Sequence, residues 1–243
     1  MINLVAELGT LHLDTHASQL DATKAAFDAG ATHVKTQLIN PETAWWATQT
    51  QYERYKYLYK QWTISDWYSY FEQANKIGPT FASVFSEAFL KPYLLDSMPY
   101  IKLGHKLNSM PRLRSQIFSM GKPVIISCKT EIEVDANMSE YGAFNNKHKP
   151  IVLYVQPLYP TMCWGIRFPM FRSASSFFNG LSFHGLGDKS VSKADIVIHA
   201  IQLGAAWVEV HCMDERTQNG GLDAQFAFTL PELRELRKRI DDI

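Results

Sequence analysis

Gly180-Leu181-Ser182-Phe183-His184 and Val208-Glu209-Val210-His211 are two short apolar runs, each ending in histidine, 27 positions apart from His184 to His211. Loop residues follow each run, and a helix-like segment from Ser192 to Leu203, stopped by Gly204, lies between them. Strand, helix and strand over this length form the repeating unit of a parallel sheet. Taken as the last two strands of a parallel barrel, the runs set both histidines side by side at the rim where such barrels do chemistry. Alone, either histidine reads as a partly buried strand end with a local hydrogen bond. The pair, at matching ends of consecutive strands, is what points to a metal or substrate role.

The same alternation extends back through the chain. Strands are expected at Ile2 to Leu8, Thr32 to Leu38, Thr80 to Phe85, Tyr100 to Gly104, Pro123 to Ser127 and Ile151 to Gln156, followed by the two histidine-tipped runs, the last beginning at Ala206. Val124-Ile125-Ile126 is continuously apolar, as a parallel strand covered on both faces should be. Helices are expected at Ser18 to Ala29, Ser65 to Lys76 with Ser65 as N-cap, near Glu87 to Leu95, Met110 to Ser119, Glu131 to Glu140, and from Pro231 onward. The segment Pro41 to Gln61, rich in Trp and Tyr, is too long for a simple loop and is expected over the barrel mouth or at an interface. Pro160 to Phe178 is irregular. Eight strands alternating with helices in 243 residues give an α/β fold, a single-domain (β/α)8 TIM barrel.

Composition narrows the function classes. The 24 basic and 24 acidic residues cancel, which argues against a nucleic-acid surface but leaves room for a local basic pocket. No apolar stretch approaches a membrane span, and the N-terminus lacks the basic region of a signal peptide. Three scattered cysteines without a CxxC motif point to reduced thiols and a cytoplasmic location.

Polar residues at the strand ends supply the candidate site. They are Glu7, Lys35 and Gln37, Ser83, Lys102 with His105 beyond, Ser127 with Lys129 beyond, Gln156 with Tyr159 behind, Ser182 and His184, Glu209 and His211, and Asp223 in the following loop. A charge within an apolar strand is costly unless paired or used, so Lys35 and Lys102 carry most information. With Ser83, Ser127 and Ser182 they make a cradle for phosphate or carboxylate. The competing reading is an internal salt bridge for each lysine, with Glu7 or Glu209 as partner. Two histidines are too few for a closed structural zinc site and leave positions open to substrate. Cys212 should face away from His211 as a buried thiol. His12 and His16 follow strand one, and either could reach the mouth. His33 shares the face of Lys35 and should lie deeper.

These residues resemble the N-acetylneuraminate (sialic acid) synthase family along nearly the whole chain. Ala6-Glu7-Leu8-Gly9 with His12 is similar to its opening motif, and Gly30 to Gln37 to its glycine-led VK-x-Q strand. Tyr100-Ile101-Lys102-Leu103-Gly104, Gly121 to Ser127, Tyr159-Pro160, Ser182-Phe183-His184, Glu209-Val210-His211, Gly221-Leu222-Asp223 and Leu230 to Leu233 resemble later family motifs in the same order. The resemblance implies a TIM barrel that condenses phosphoenolpyruvate with a sugar aldehyde such as N-acetylmannosamine, releasing phosphate. It implies a divalent metal, manganese foremost and magnesium an alternative, on His184 and His211. It implies that Lys35, Ser83, Lys102, Ser127 and Ser182 hold phosphoenolpyruvate, and that Glu7, Gln37, Tyr159 and Asp223 face the sugar or a metal-bound water.

The chain departs from the family pattern at several points. His105-Lys106-Leu107 stands where the family has a glutamate, Ser127-Cys128-Lys129 where it has STG, Phe183 for an aspartate and Ala224 for a histidine. His105 or Lys129 is expected to take over acid/base work, beside Glu7. The family's antifreeze-like domain is expected to be absent, so that a homodimer would use the barrel surface, with the aromatic 45–62 region as a candidate. The alternative function is a non-catalytic relative that binds an anionic metabolite or a protein partner.

Overall fold

The computed structural model describes residues 1–158, 161, 166, 168, 171, 177–186, 191–216 and 223–243. Eight parallel strands pair in sequence order: β1 (Asn3–Gly9), β2 (His33–Leu38), β3 (Thr80–Val84), β4 (Ile101–Leu103), β5 (Val124–Cys128), β6 (Ile151–Val155), β7 (Gly180–Phe183) and β8 (Trp207–Met213). β8 pairs back onto β1, so the sheet closes and leaves no edge. A short β9 (Phe228–Thr229) adds to the end of β8. The fold is a (β/α)8 barrel in one domain.

Among the described residues eight α-helices accompany the strands: α1 (His16–Asp28), α2 (Gln49–Gln61), α3 (Ile64–Ile77), α4 (Pro92–Asp96), α5 (Pro111–Ser119), α6 (Glu131–Ala143), α7 (Lys193–Gln202) and α8 (Leu230–Asp241). Threonine caps start several of them. Thr15, Thr48, Thr63 and Thr229 each accept from the backbone N–H three residues on, and the side chain there answers the cap's own N–H. This corrects two expected starts, because Thr63 rather than Ser65 caps α3 and Thr15 sets α1 two residues before Ser18. Glu87 to Leu95 is not one helix but a 3-10 turn followed by α4, with Pro92 opening the second piece. The 41–61 segment contains α2, a regular helix whose aromatic residues hid its apolar face.

The two faces of each strand have different partners. Outward side chains such as Leu4, Ala6, Val34, Leu38, Ala82, Ile101, Ile126, Val208 and Val210 are buried under the helices. On α8, Leu233, Leu236 and Ile240 form the stripe that packs inward.

Inward side chains stack in layers along the barrel axis. The lowest layer is aromatic: the His33 ring lies 4.9 Å from Trp207 and 5.8 Å from Tyr100, and Phe81 contacts both His33 and Tyr100. Burial holds the His33 imidazole down to about 4, so this plug is neutral. It depends on Gly180, where a Cβ would lie 1.9 Å from the Trp207 carbonyl oxygen. Above this plug the barrel interior turns polar.

Candidate active site

The second layer carries four charges in the closed barrel. Register places Glu7 beside Lys35 on one side and His211 on the other, Ser83 beside Lys102, and Ser182 beside Glu209. Lys35 Nζ forms an ion pair with Glu7, donates to Ser83 Oγ at 2.9 Å and lies 3.7 Å from Glu209. Lys102 Nζ donates to Glu209 at 3.0 Å and to Ser127 Oγ at 2.7 Å. Ser182 Oγ donates to the other Glu209 oxygen at 2.8 Å. The internal salt bridge and the hydroxyl cradle are therefore one arrangement, with Glu209 as the link between the lysines.

The charges distribute unevenly. Burial opposes ionisation of Glu209, but Lys102, Lys35 and the hydrogen bonds from Ser182 and Lys102 outweigh it and hold this carboxyl well below its ordinary value. Burial pushes the Glu7 carboxyl up, and Lys35 only partly offsets this. Burial lowers the Lys102 ammonium, whereas Lys35 is raised because Glu209 and Glu7 overcome its desolvation. With all four groups ionised the layer is neutral, and the Lys102 ammonium and the Ser83 and Ser127 hydroxyls keep protons for an added anion.

A cavity of about 630 Å³ opens above this layer. Glu7, Lys35, Gln37, Ser83, Lys102, Ser127, Ser182, His184, His211, Asp223 and His105 all line it. Tyr159 lies outside the described residues. Lys129 is not brought to the cavity; it is exposed, and its backbone N–H donates to the Glu133 carboxylate. His12 and His16 do not reach the mouth either. His12 is wholly buried and accepts from the Asp214 N–H, and His16 packs against Trp62 and Tyr70. Cys212 is buried on the outward face, as alternation requires.

His184 and His211 meet edge to face with ring centroids 5.5 Å apart. Desolvation and the neighbouring His211 hold the His184 imidazole well below its usual value, so it is a neutral donor. Asp223 Oδ2 lies 3.7 Å from His211 Nδ1, near enough to orient that ring. No group of three or more His, Cys, Asp or Glu is placed to hold a metal among the described residues. His184 and His211 are thus the imidazole donors that the described rim offers a divalent ion.

The outer wall holds residues that strand-end reasoning missed. Trp46, Thr48, Gln51 and Tyr55 reach the cavity from the α2 segment, joined by Phe85, Lys106 and Phe226. Arg54 anchors that segment through Asp14 and the Thr10 carbonyl oxygen. Trp45, Tyr57 and Tyr59 point outward and are exposed. Glu133 on α6 was also missed; its carboxylate lies 3.2 Å from His105 Nε2 and is further held by the Asn108 amide. An i+4 carboxylate after Lys129 gave no sequence signal of a partner on another loop.

A closed parallel barrel with a polar, histidine-rimmed pocket at the C-terminal ends of its strands has the form of a barrel enzyme. The NeuB family model matches residues 22–243, and the chain belongs to the NeuB family. A search of curated proteins found no match. Among solved structures, a sialic acid synthetase from Leptospira borgpetersenii superposes with a TM-score of 0.80 at 19% identity, covering 99% of this chain and 83% of that one. The spore coat polysaccharide biosynthesis protein spsE of Bacillus subtilis gives 0.71 at 20% identity over 99% and 67%. A truncated 3-deoxy-D-arabino-heptulosonate 7-phosphate synthase from Thermotoga maritima gives 0.68 at 17% over 99% and 86%. At these identities the superpositions speak for the fold. No described helix is long and apolar enough to cross a membrane.

Proposed function

We propose that the protein joins phosphoenolpyruvate to a sugar aldehyde with release of phosphate. The observation that carries this reading is the stacking, in one cavity, of a two-lysine hydroxyl cradle beneath a pair of histidines. Lys35 and Lys102 neutralise the anionic groups of phosphoenolpyruvate, and Ser83, Ser127 and Ser182 orient them by hydrogen bonds. Glu209 lies between the two ammonium groups, and Lys102, bonded to Glu209 and Ser127, keeps a third N–H for the ligand. Family membership supports the same chemistry.

A divalent ion on His184 and His211, manganese or magnesium, supplies Lewis-acid polarisation of the aldehyde carbonyl when bound. The chain's own groups manage the protons. The enol carbon of phosphoenolpyruvate bonds to the aldehyde carbon, and the aldehyde oxygen takes a proton from His105, whose ring Glu133 orients. Water adds to the cationic carbon left behind and Glu7 accepts one of its protons; the remaining hydroxyl closes to a carbonyl as the C–O bond to phosphate breaks, and its proton leaves with the phosphate. Gln37, which donates to Glu7 at 3.2 Å, and Asp223 face the acceptor sugar.

Calorimetry with phosphoenolpyruvate, on metal-stripped protein and on protein reloaded with manganese, tests the reading. Metal-linked binding that disappears in His184→Ala, together with phosphate release only when an aldehyde is added, is the expected result. Absence of phosphoenolpyruvate binding with any metal refutes it and leaves a non-catalytic barrel that binds another anion or a protein.

A further inference from the structure

The cations at the floor and at the mouth of the cavity stand in opposite situations. Lys35 and Lys102 are buried and bridged by Glu7 and Glu209. Lys106 lines the mouth of the same cavity and has no carboxylate within ion-pair distance among the described residues. Its Nζ lies over the Trp46 ring, 5.3 Å from the centroid. Trp46 in turn packs on Phe85 at 5.3 Å, so the ring is fixed from behind. Asp223 is the carboxylate whose field reaches Lys106, but it lies across the mouth beside His211. The neighbouring side chain, His105, is already turned to Glu133.

An unpaired surface lysine is ordinary. This one differs because an aromatic face holds its ammonium against the cavity wall, where a ligand seated above the histidines would meet it. A neutral acceptor would leave that charge unanswered. An acceptor with its own anion would close the pair, while its carbon skeleton covers Trp46, Phe85 and Tyr55.

We propose that Lys106 and Trp46 form an acceptor subsite that selects an anionic sugar aldehyde, one bearing a phosphate or carboxylate at the end remote from the aldehyde. The proposal rests on the condensing reading above and names the acceptor class for it. Lys106 acts in binding and specificity, outside the reacting atoms. The floor cradle serves one anionic substrate and the mouth subsite the other, so the two sites divide the ligand charges between them.

The test titrates the full-length protein, with manganese and phosphoenolpyruvate present, with N-acetylmannosamine, its 6-phosphate and the corresponding 6-carboxylate. Calorimetry is expected to show the two charged forms binding roughly ten- to a hundredfold tighter than the neutral sugar, the range of a charge-assisted hydrogen bond. Lys106→Met should erase the preference, because Met keeps the stem over Trp46 and removes the charge. Equal affinities, preference for the neutral sugar, no binding of any of the three, or a preference that survives Lys106→Met each overturns the proposal. Phosphoenolpyruvate affinity is read separately on both proteins. Its loss in the unsubstituted protein would sink the condensing reading, while the three-sugar comparison still decides the subsite.

Discussion

Glu209→Gln is the most informative single change, because Glu209 is the contact shared by both buried lysines. It lies 3.0 Å from Lys102 Nζ and 3.7 Å from Lys35 Nζ, and accepts from Ser182 at 2.8 Å. The amide keeps the shape and can still accept one of these hydrogen bonds. What disappears is the negative charge, leaving two buried ammonium groups against Glu7 alone. Removing one partner of a buried ion pair costs about 3–5 kcal/mol. Lys102 can instead release its proton, and bringing an ordinary lysine of pKa about 10.4 to neutrality at pH 7 costs about 4.6 kcal/mol, so the penalty is bounded near that figure. At about 2–4 °C per kcal/mol for a chain of this size, Tm should fall by roughly 6–18 °C.

The pH dependence has a definite sign. Glu209 is held below its ordinary value of 4.5 in the folded state, so its contribution is present above that pH and is lost as pH falls further. Glu7 is raised and works in the opposite sense; because Glu209 contributes to that rise, the Glu7 carboxyl is less raised in the variant, which trims the gap at neutral pH. The stability gap between the two proteins should therefore narrow below pH 4.5. Thermal unfolding followed by circular dichroism measures the gap, and the Lys102→Met and Glu209→Gln double variant should recover much of the loss. A Tm within about 2 °C of the parent, or single effects that simply add, would refute the account of Glu209 as the link in a coupled network.

Two further outcomes can be checked on stability and reactivity. Gly180→Ala should destabilise by about 1–3 kcal/mol or more, since backbone at Trp207 cannot yield to the new Cβ, whereas Gly142→Ala on α6, with nothing within 4 Å, should be neutral or slightly stabilising; the reverse order in chemical denaturation would contradict the packing described. Cys128 and Cys212 are buried, with thiols pushed up to about 12, so in a Cys163→Ser background both should resist a thiol reagent until denaturant is added, and rapid labelling in native buffer would count against it.

Sequence alone determined the strand–helix alternation, the barrel class, and the inward set Glu7, Lys35, Lys102, Ser182, Glu209 and His211. The reason is local: period-two alternation along a strand assigns a face without knowledge of any neighbour. The same rule placed Cys212 outward and His33 deep. Helix starts at Ser18 and Ser65 were misplaced because several hydroxyl residues precede each helix, and only backbone geometry shows which of them accepts the capping bond.

Tertiary structure decided everything that depends on closure. Glu209 faces Lys102 across 107 positions of sequence, and Glu133 reaches His105 from a different loop, pairings that no local pattern encodes. The same closure excluded Lys129, whose position just beyond β5 suggested the rim although the chain there turns outward into α6. Trp46 and Lys106 become neighbours only when the α2 segment, pinned by Arg54 to Asp14, folds over the mouth. Strand periodicity sets the direction of a side chain, but which charge stands opposite it is settled by the radius and register of the closed barrel.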